Sequence, residues 1–196
     1  MNTIKKLSPT AITAIIIGVV AVIVAIFSIS TYNDLAKQDQ AVKAKWSQVE
    51  NVMERRADLI PNLTAAVKGS MSHETKIFDD IAKARQNYYN ADSTTAKASA
   101  DNEVNKSVGT LLNVISESYP TLASNDNVKT LMTQLEGSEN RISVERKRYI
   151  EAVQDYNSSL VTFPRNLFAN LMGLKEKPEF KADPEAYNVP KVDLSE

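Results

Sequence analysis

Residues 32–67 read YNDLAKQDQAVKAKWSQVENVMERRADLIPNLTAAV, and the spacing of their apolar side chains decides the fold. With Tyr32 as heptad position a, the a positions are Tyr32, Asp39, Trp46, Met53, Ile60 and Val67. The d positions are Leu35, Val42, Val49, Arg56, Leu63 and Ser70. Most of these are apolar, so one stripe runs from Tyr32 to Val67, as in a helix packed along one face. Pro61 falls inside the stripe, and an interior proline removes a backbone hydrogen bond and kinks a helix. The stripe keeps its phase through Leu63 and Val67, so the reading is a kinked helix that stops near Gly69.

Two further stretches share this period. One starts near Ser72, which can cap it, with Glu74 suited to the first turn. Ile77, Phe78, Ile81, Ala84, Arg85 and Tyr88 follow at helical spacing. Residues 92–100 (DSTTAKASA) are small and polar, and read equally as a loop or as a thinly packed helical piece. Val104, Val108, Leu111, Leu112 and Ile115 resume the pattern, which Pro120 ends. The last stretch starts at Asp126 or Asn127 as cap. Its a positions are Val128, Leu135, Ile142, Tyr149, Tyr156 and Phe163, while its d positions turn small and polar, which suits packing against two neighbours. Pro164 opens a short helix closed by Gly173. The tail 175–196 carries Pro178, Pro184 and Pro190 among charges, and its composition is that of an extended or disordered segment.

Upstream, residues 11–29 read AITAIIIGVVAVIVAIFSI, with no charge and only Thr13 and Ser28 polar. About 20 such residues cross a hydrocarbon core of about 30 Å. Lys5 and Lys6 would also suit a cleaved signal peptide, but the run exceeds the usual ~7–15 residues, so a retained anchor over 11–30 is expected, after a short tail 1–10. Lys5, Lys6 and the α-amine in front of the span nearly balance Lys37, Lys43 and Lys45 behind it, but the lysines in front are closer and a signal-anchor usually leaves its N-terminus inside. The reading is a cytoplasmic N-terminus with the helical part, 31–174, outside the cytoplasm.

Composition narrows function by exclusion. Lys+Arg number 23 against Asp+Glu 24, without the basic excess of a nucleic-acid binder. There is no Cys and one His, His73, so thiolate metal sites, thiol nucleophiles and two-histidine zinc motifs are out. Phosphate-binding glycine loops and nucleophile elbows are missing too. No catalytic residue, cofactor site or metal site is assigned, and the chain is expected not to be an enzyme. Polar residues on apolar seams stand out instead. Arg56 lies on the first stripe, Asp58 and Asn62 flank Pro61, Arg85 borders the second stripe, and Glu139, Asn140 and Arg141 interrupt the third. They read as a polar layer between helices, either ordinary register-fixing salt bridges or a ligand or partner site.

Several of these motifs together resemble the LemA family of bacterial membrane-anchored helical proteins. They are YNDL at 32–35, Trp46, RRADLIPNL at 55–63, VKG at 67–69, LEGSENRI at 135–142, ERKRYIEAVQDYN at 145–157 and FPRNLFANLMG at 163–173. Ile150 and Thr64 depart from the family's usual Asn and Val. The resemblance implies an envelope role, with relatives connected to membrane proteases, membrane-organelle formation and surface antigens. It implies no catalytic residue. Its signature positions fall at Arg55, Arg56, Asp58, Pro61, Asn62, Glu139, Asn140, Arg141, Tyr156, Asn157, Phe163 and Pro164. With Arg85, most of these are the candidate interaction residues.

The expectation is therefore an all-α protein: one transmembrane helix, then an antiparallel bundle of about three long helices and a short C-terminal one. It is read as a single-pass scaffold or adaptor of the bacterial inner membrane, with a protein partner, a membrane protease among the candidates, and no nucleic acid. A homo-oligomer would form through the bundle, because Gly18 is the span's only glycine and the GxxxG dimer pattern is missing. The rival is a ligand- or metal-sensing bundle using the polar layer.

Overall fold

A computed structural model describes residues 8–178. In chain order its helices are α1 (Pro9–Val67), α2 (Thr75–Asn90), α3 (Thr94–Ser118), α4 (Pro120–Ala123), α5 (Asp126–Val161) and α6 (Arg165–Leu171). No strand occurs among the described residues, so the chain is all-α. Residues 1–7 of the expected N-terminal tail, and 179–196 of the expected extended tail, lie outside the described residues.

α1 runs for 59 residues and carries Pro61 without ending. Ser8 caps it, accepting from the Ala11 amide at 3.3 Å. Pro9 follows in the first turn, where its missing N–H costs nothing. The apolar run and the heptad stripe are therefore one helix, about 88 Å long at ~1.5 Å per residue. Its apolar window has mean hydropathy 3.0 and none of it is buried, which makes α1 long and apolar enough to cross a membrane.

Three readings need correction. The second stretch is two helices, because Ala91 is extended (ψ 124°) and Ser93 caps a new start, accepting from the Ala96 amide at 3.2 Å. Residues 94–100 are thus the first turns of α3. The cap of α5 is Asn125, one residue earlier than expected, with Oδ1 accepting from the amides of Asn127 and Val128 at 3.1 and 3.3 Å. Ser72 does not cap α2, which starts at Thr75. Glu74 instead accepts from the Tyr119 hydroxyl at 3.2 Å and ties the start of α2 to the end of α3.

The long helices pack in antiparallel pairs. Along α1 and α5 the contacts run in opposite order: Asp34 with Arg165 just past α5, Trp46 with Tyr149, Arg56 with Glu139. α2 and α3 fold back on each other, with Asn87 donating to Glu103 at 2.8 Å. α3 lies beside the far half of α1, where Lys97 pairs with Glu50 and Asp101 with Arg56. This explains the burial of the α1 stripe. Nearer the apolar run Thr31 and the d positions Leu35, Val42 and Val49 are buried, and Tyr32, Asp39 and Trp46 are not. Beyond Val49 both sets are covered, Met53, Ile60 and Val67 joining Arg56 and Leu63. One neighbour hides one row of side chains, and two neighbours hide two.

Candidate functional site

An ion-pair network lies in the core where α1, α3 and α5 meet. Arg56 and Asp101 are each 1% exposed. The Arg56 guanidinium donates to the Asp101 carboxylate, to the Asp101 carbonyl at 3.1 Å and to the Glu139 carboxylate. Arg146 donates to the other Asp101 oxygen. The Asn105 amide, turned to satisfy its neighbours, donates to Glu139 at 3.1 and 3.2 Å. The helix pattern explains the placement. Arg56 occupies a d position of α1, and Asp101 lies one turn before Val104 on the buried stripe of α3. Burial pulls the Arg56 guanidinium below its usual range, and the Asp101 charge opposes the shift. Burial pushes the Asp101 carboxyl up, opposed by Arg56 and Arg146. Each charge is tolerated in the core because the other is there. Beside the network a groove of about 620 Å³ opens, its lining including Asn105, Glu139, Ile142, Arg146 and Lys147.

Of the residues singled out from sequence, Arg56 and Glu139 meet in this network. Arg85 is close by but joins a different contact, donating to the Ala57 carbonyl at 3.2 Å. Arg55, Asp58, Asn62, Asn140 and Arg141 are exposed, so the layer is narrower than expected. Pro61 is half-buried in α1. The residues Glu139, Asn140 and Arg141 do not interrupt α5, which is continuous. Asp101 and Arg146 were missed. Both were within reach of the pattern: extending the Val104–Val108 stripe back one turn reaches Asp101, and Arg146 lies between Ile142 and Tyr149 on the buried side of α5. Among the described residues no group of three or more His, Asp or Glu side chains is placed to hold a metal ion.

Tyr156 and Asn157 belong to a second site, where the chain after α6 returns across α1 and α5. Residues 174–178, in neither helix nor strand, form a strap. Asn157 grips the Lys177 backbone twice, donating to its carbonyl at 2.9 Å and accepting from its amide at 2.8 Å. The Tyr149 hydroxyl donates to the Pro178 carbonyl at 3.2 Å. The Lys177 ammonium pairs with Asp39 at 2.7 Å and sits 5.7 Å from the centre of the Tyr156 ring. Residues 175–178 are thus held against α1 and α5.

Hydrogen bonds from Lys177 and Lys43 hold the Asp39 carboxyl below its ordinary value. A carboxylate with a depressed pKa in the docked state stabilises docking above its free value of about 3.9. That contribution disappears as pH falls through the depressed value. Acidification below about pH 4 should therefore loosen the strap, and the Lys177 amide resonance should move toward its free position. Asn157→Ala should produce the same shift at neutral pH. A resonance unchanged in both tests would contradict the docking.

The model of the LemA family matches residues 45–194. Magnetosome proteins MamQ 2 and MamQ 1 of Paramagnetospirillum magneticum are each 27% identical over 179 residues, covering 78% of this chain and 65% of the relative. Magnetosome protein MamQ of Magnetospirillum gryphiswaldense is 25% identical with the same coverage. The chain thus spans 65% of the length of these curated relatives.

Proposed function

Because the chain belongs to the LemA family, we propose that it is a non-enzymatic, membrane-anchored helical scaffold or adaptor of the bacterial envelope. The observation that carries this reading is the continuity of α1. An unburied apolar run passes without a break into the helix around which α3 and α5 pack. On this reading residues 11–30 cross the inner membrane and residues 31–174 form an antiparallel bundle standing on it as a rigid stalk. Lysine counts on the two sides nearly balance, and the closer approach of Lys5 and Lys6 to the span, with the usual orientation of a signal-anchor, favours a cytoplasmic N-terminus and a bundle outside the cytoplasm. Similarity to magnetosome proteins supports a bacterial, membrane-associated setting. The functional side chains are engaged in helix packing and strap docking, and no nucleophile–base pair is among them. The working surface is then the outside of the bundle, offered to a protein partner or a second copy.

The test is cross-linking in intact membranes followed by recovery through a C-terminal tag. A stoichiometric second protein supports the adaptor reading, and its compartment gives the orientation. Ladders of the chain alone support a homo-oligomeric scaffold. Recovery of an uncross-linked monomer would contradict both.

A second reading, a ligand-sensing bundle, draws on the groove beside Arg146 and Glu139. Thermal-shift screening against anions, metal ions and lipid headgroups tests it, and no stabilisation by any of them would remove it.

A further inference from the structure

Among the described residues beyond α1, four of the six exposed large apolar side chains lie at one end, the others being Tyr89 and Val144. Val161 (62% exposed), Phe163 (76%), Leu167 (59%) and Leu171 (84%) all lie in the segment from the end of α5 to the end of α6. Leu167 and Leu171 are four residues apart on α6 and share one side, while Ala169 is buried, and Phe163 is exposed in the turn that leads into α6. A seven-residue helix exposing Leu167 and Leu171, with Phe163 exposed in the turn just before it, is unfavourable in water, since each leaves roughly 1.5–3 kcal/mol of burial unrealised.

Where this helix sits identifies what covers it. The Phe168 ring packs on Phe27 with centroids 5.6 Å apart. Phe27 belongs to the apolar run of α1, two residues before its end at Ile29. Arg165, at the start of α6, pairs with Asp34 at 2.8 Å, on the polar side of that boundary. α6 therefore straddles the level at which α1 changes from apolar to polar. About three residues of rise place Phe27 only some 3–5 Å inside the hydrocarbon edge. That is at the shallow edge of the depth to which amphipathic interfacial helices bury their apolar face, about 5–10 Å into the headgroup and acyl boundary.

We infer that α6 is a membrane foot: Phe163, Leu167 and Leu171 enter the interfacial layer of the bilayer beside the α1 span. The lipid surface is the partner, and the exposed face continues the lipid-facing surface of the span itself. The inference rests on the reading of α1 as a membrane helix. It adds a second attachment point that fixes how the bundle stands on the bilayer, since a single helix would leave it free to tilt and rotate. Arg165 is held at headgroup level by Asp34, and the strap leaves α6 from the same level through Gly173, whose φ of 66° allows the turn.

The test uses the full chain, which has no cysteine, so that a single introduced one carries the only spin label. Labels at Leu171→Cys, Leu167→Cys, Val20→Cys and Val144→Cys are compared in phosphatidylcholine–phosphatidylglycerol vesicles by collision with oxygen, which partitions into lipid, and with a water-soluble nickel chelate. Val144 is 50% exposed but lies on α5 far from the apolar run, and serves as the aqueous reference. The oxygen-to-nickel ratio at Leu171 and Leu167 is expected to be severalfold above that at Val144, approaching that at Val20. An aqueous ratio at Leu171 with a lipid ratio at Val20 overturns the foot and leaves the anchor standing. An aqueous ratio at Val20 overturns both. A label at Leu171 shielded from both reagents means that protein covers the patch, a second copy included, and also overturns the foot.

Discussion

Asp101→Ala is expected to destabilise the folded helices by about 3–5 kcal/mol, the usual consequence of removing one partner from a buried ion pair. Arg56 is 1% exposed, so the orphaned guanidinium cannot reach water without opening the core. Glu139 is 30% exposed at its side chain and offers only partial compensation. Arg146, now without the Asp101 carboxylate, adds repulsion toward Arg56, whose charged form it already disfavours. For a chain of this size 1 kcal/mol is about 2–4 °C in melting temperature, so the drop should be about 6–20 °C. Replacing the whole pair, Arg56→Met with Asp101→Leu, should recover most of the loss, because apolar groups of similar volume often match a buried pair. Far-UV circular dichroism of the full chain in detergent reads both variants. A single variant melting within a degree of the parent would show that the network carries no such role.

The second large effect concerns the apolar run. Its residues 11–29 include seven Ile, four Val and one Phe. At about −0.3 to −0.6 kcal/mol each on the insertion scale, they favour the bilayer by roughly 5 kcal/mol. One Lys at the centre costs about 2.5–3.5 kcal/mol, so Val20→Lys alone should still insert. Val20→Lys with Val24→Lys costs roughly twice that and should tip the balance, leaving the chain out of the membrane. Alkaline extraction of membranes separates these cases: the parent and the single variant in the pellet, the double variant in the supernatant. A double variant that stayed in the pellet would mean that something other than the span holds the chain there.

Much of the fold was legible because α1 and α5 are long and keep a single phase. Every a position of α5 from Val128 to Tyr156 is apolar, and each is buried or nearly so. The break at 91–93 was hidden because Ser93 sits among several small polar residues, any of which could cap, and only tertiary packing selects one. Arg56 announced itself as a charge on a seam, but its partner did not. Asp101 lies 45 residues away, and the pairing needs α3 laid beside α1 in a particular register. Arg55 is a candidate only through the family resemblance, and Asn140 and Arg141 also through their neighbour Glu139. Adjacent helix residues point in different directions, so only one of each cluster reaches the core. The strap was illegible for another reason. Its hold depends on Asn157 and Asp39, which are far from Lys177 in sequence and meet it only after α5 and α6 have folded.

The apolar run and the core of the helical domain form one unbroken helix. Spin labels at Val24→Cys and Asn51→Cys, both exposed on α1, test it in lipid nanodiscs by electron–electron dipolar spectroscopy. A continuous helix predicts one narrow distribution near 40 Å, from 27 residues at about 1.5 Å each. A broad distribution, or a shorter mean distance, would contradict this continuity, because it would mean a hinge between the apolar run and the helices packed beyond it.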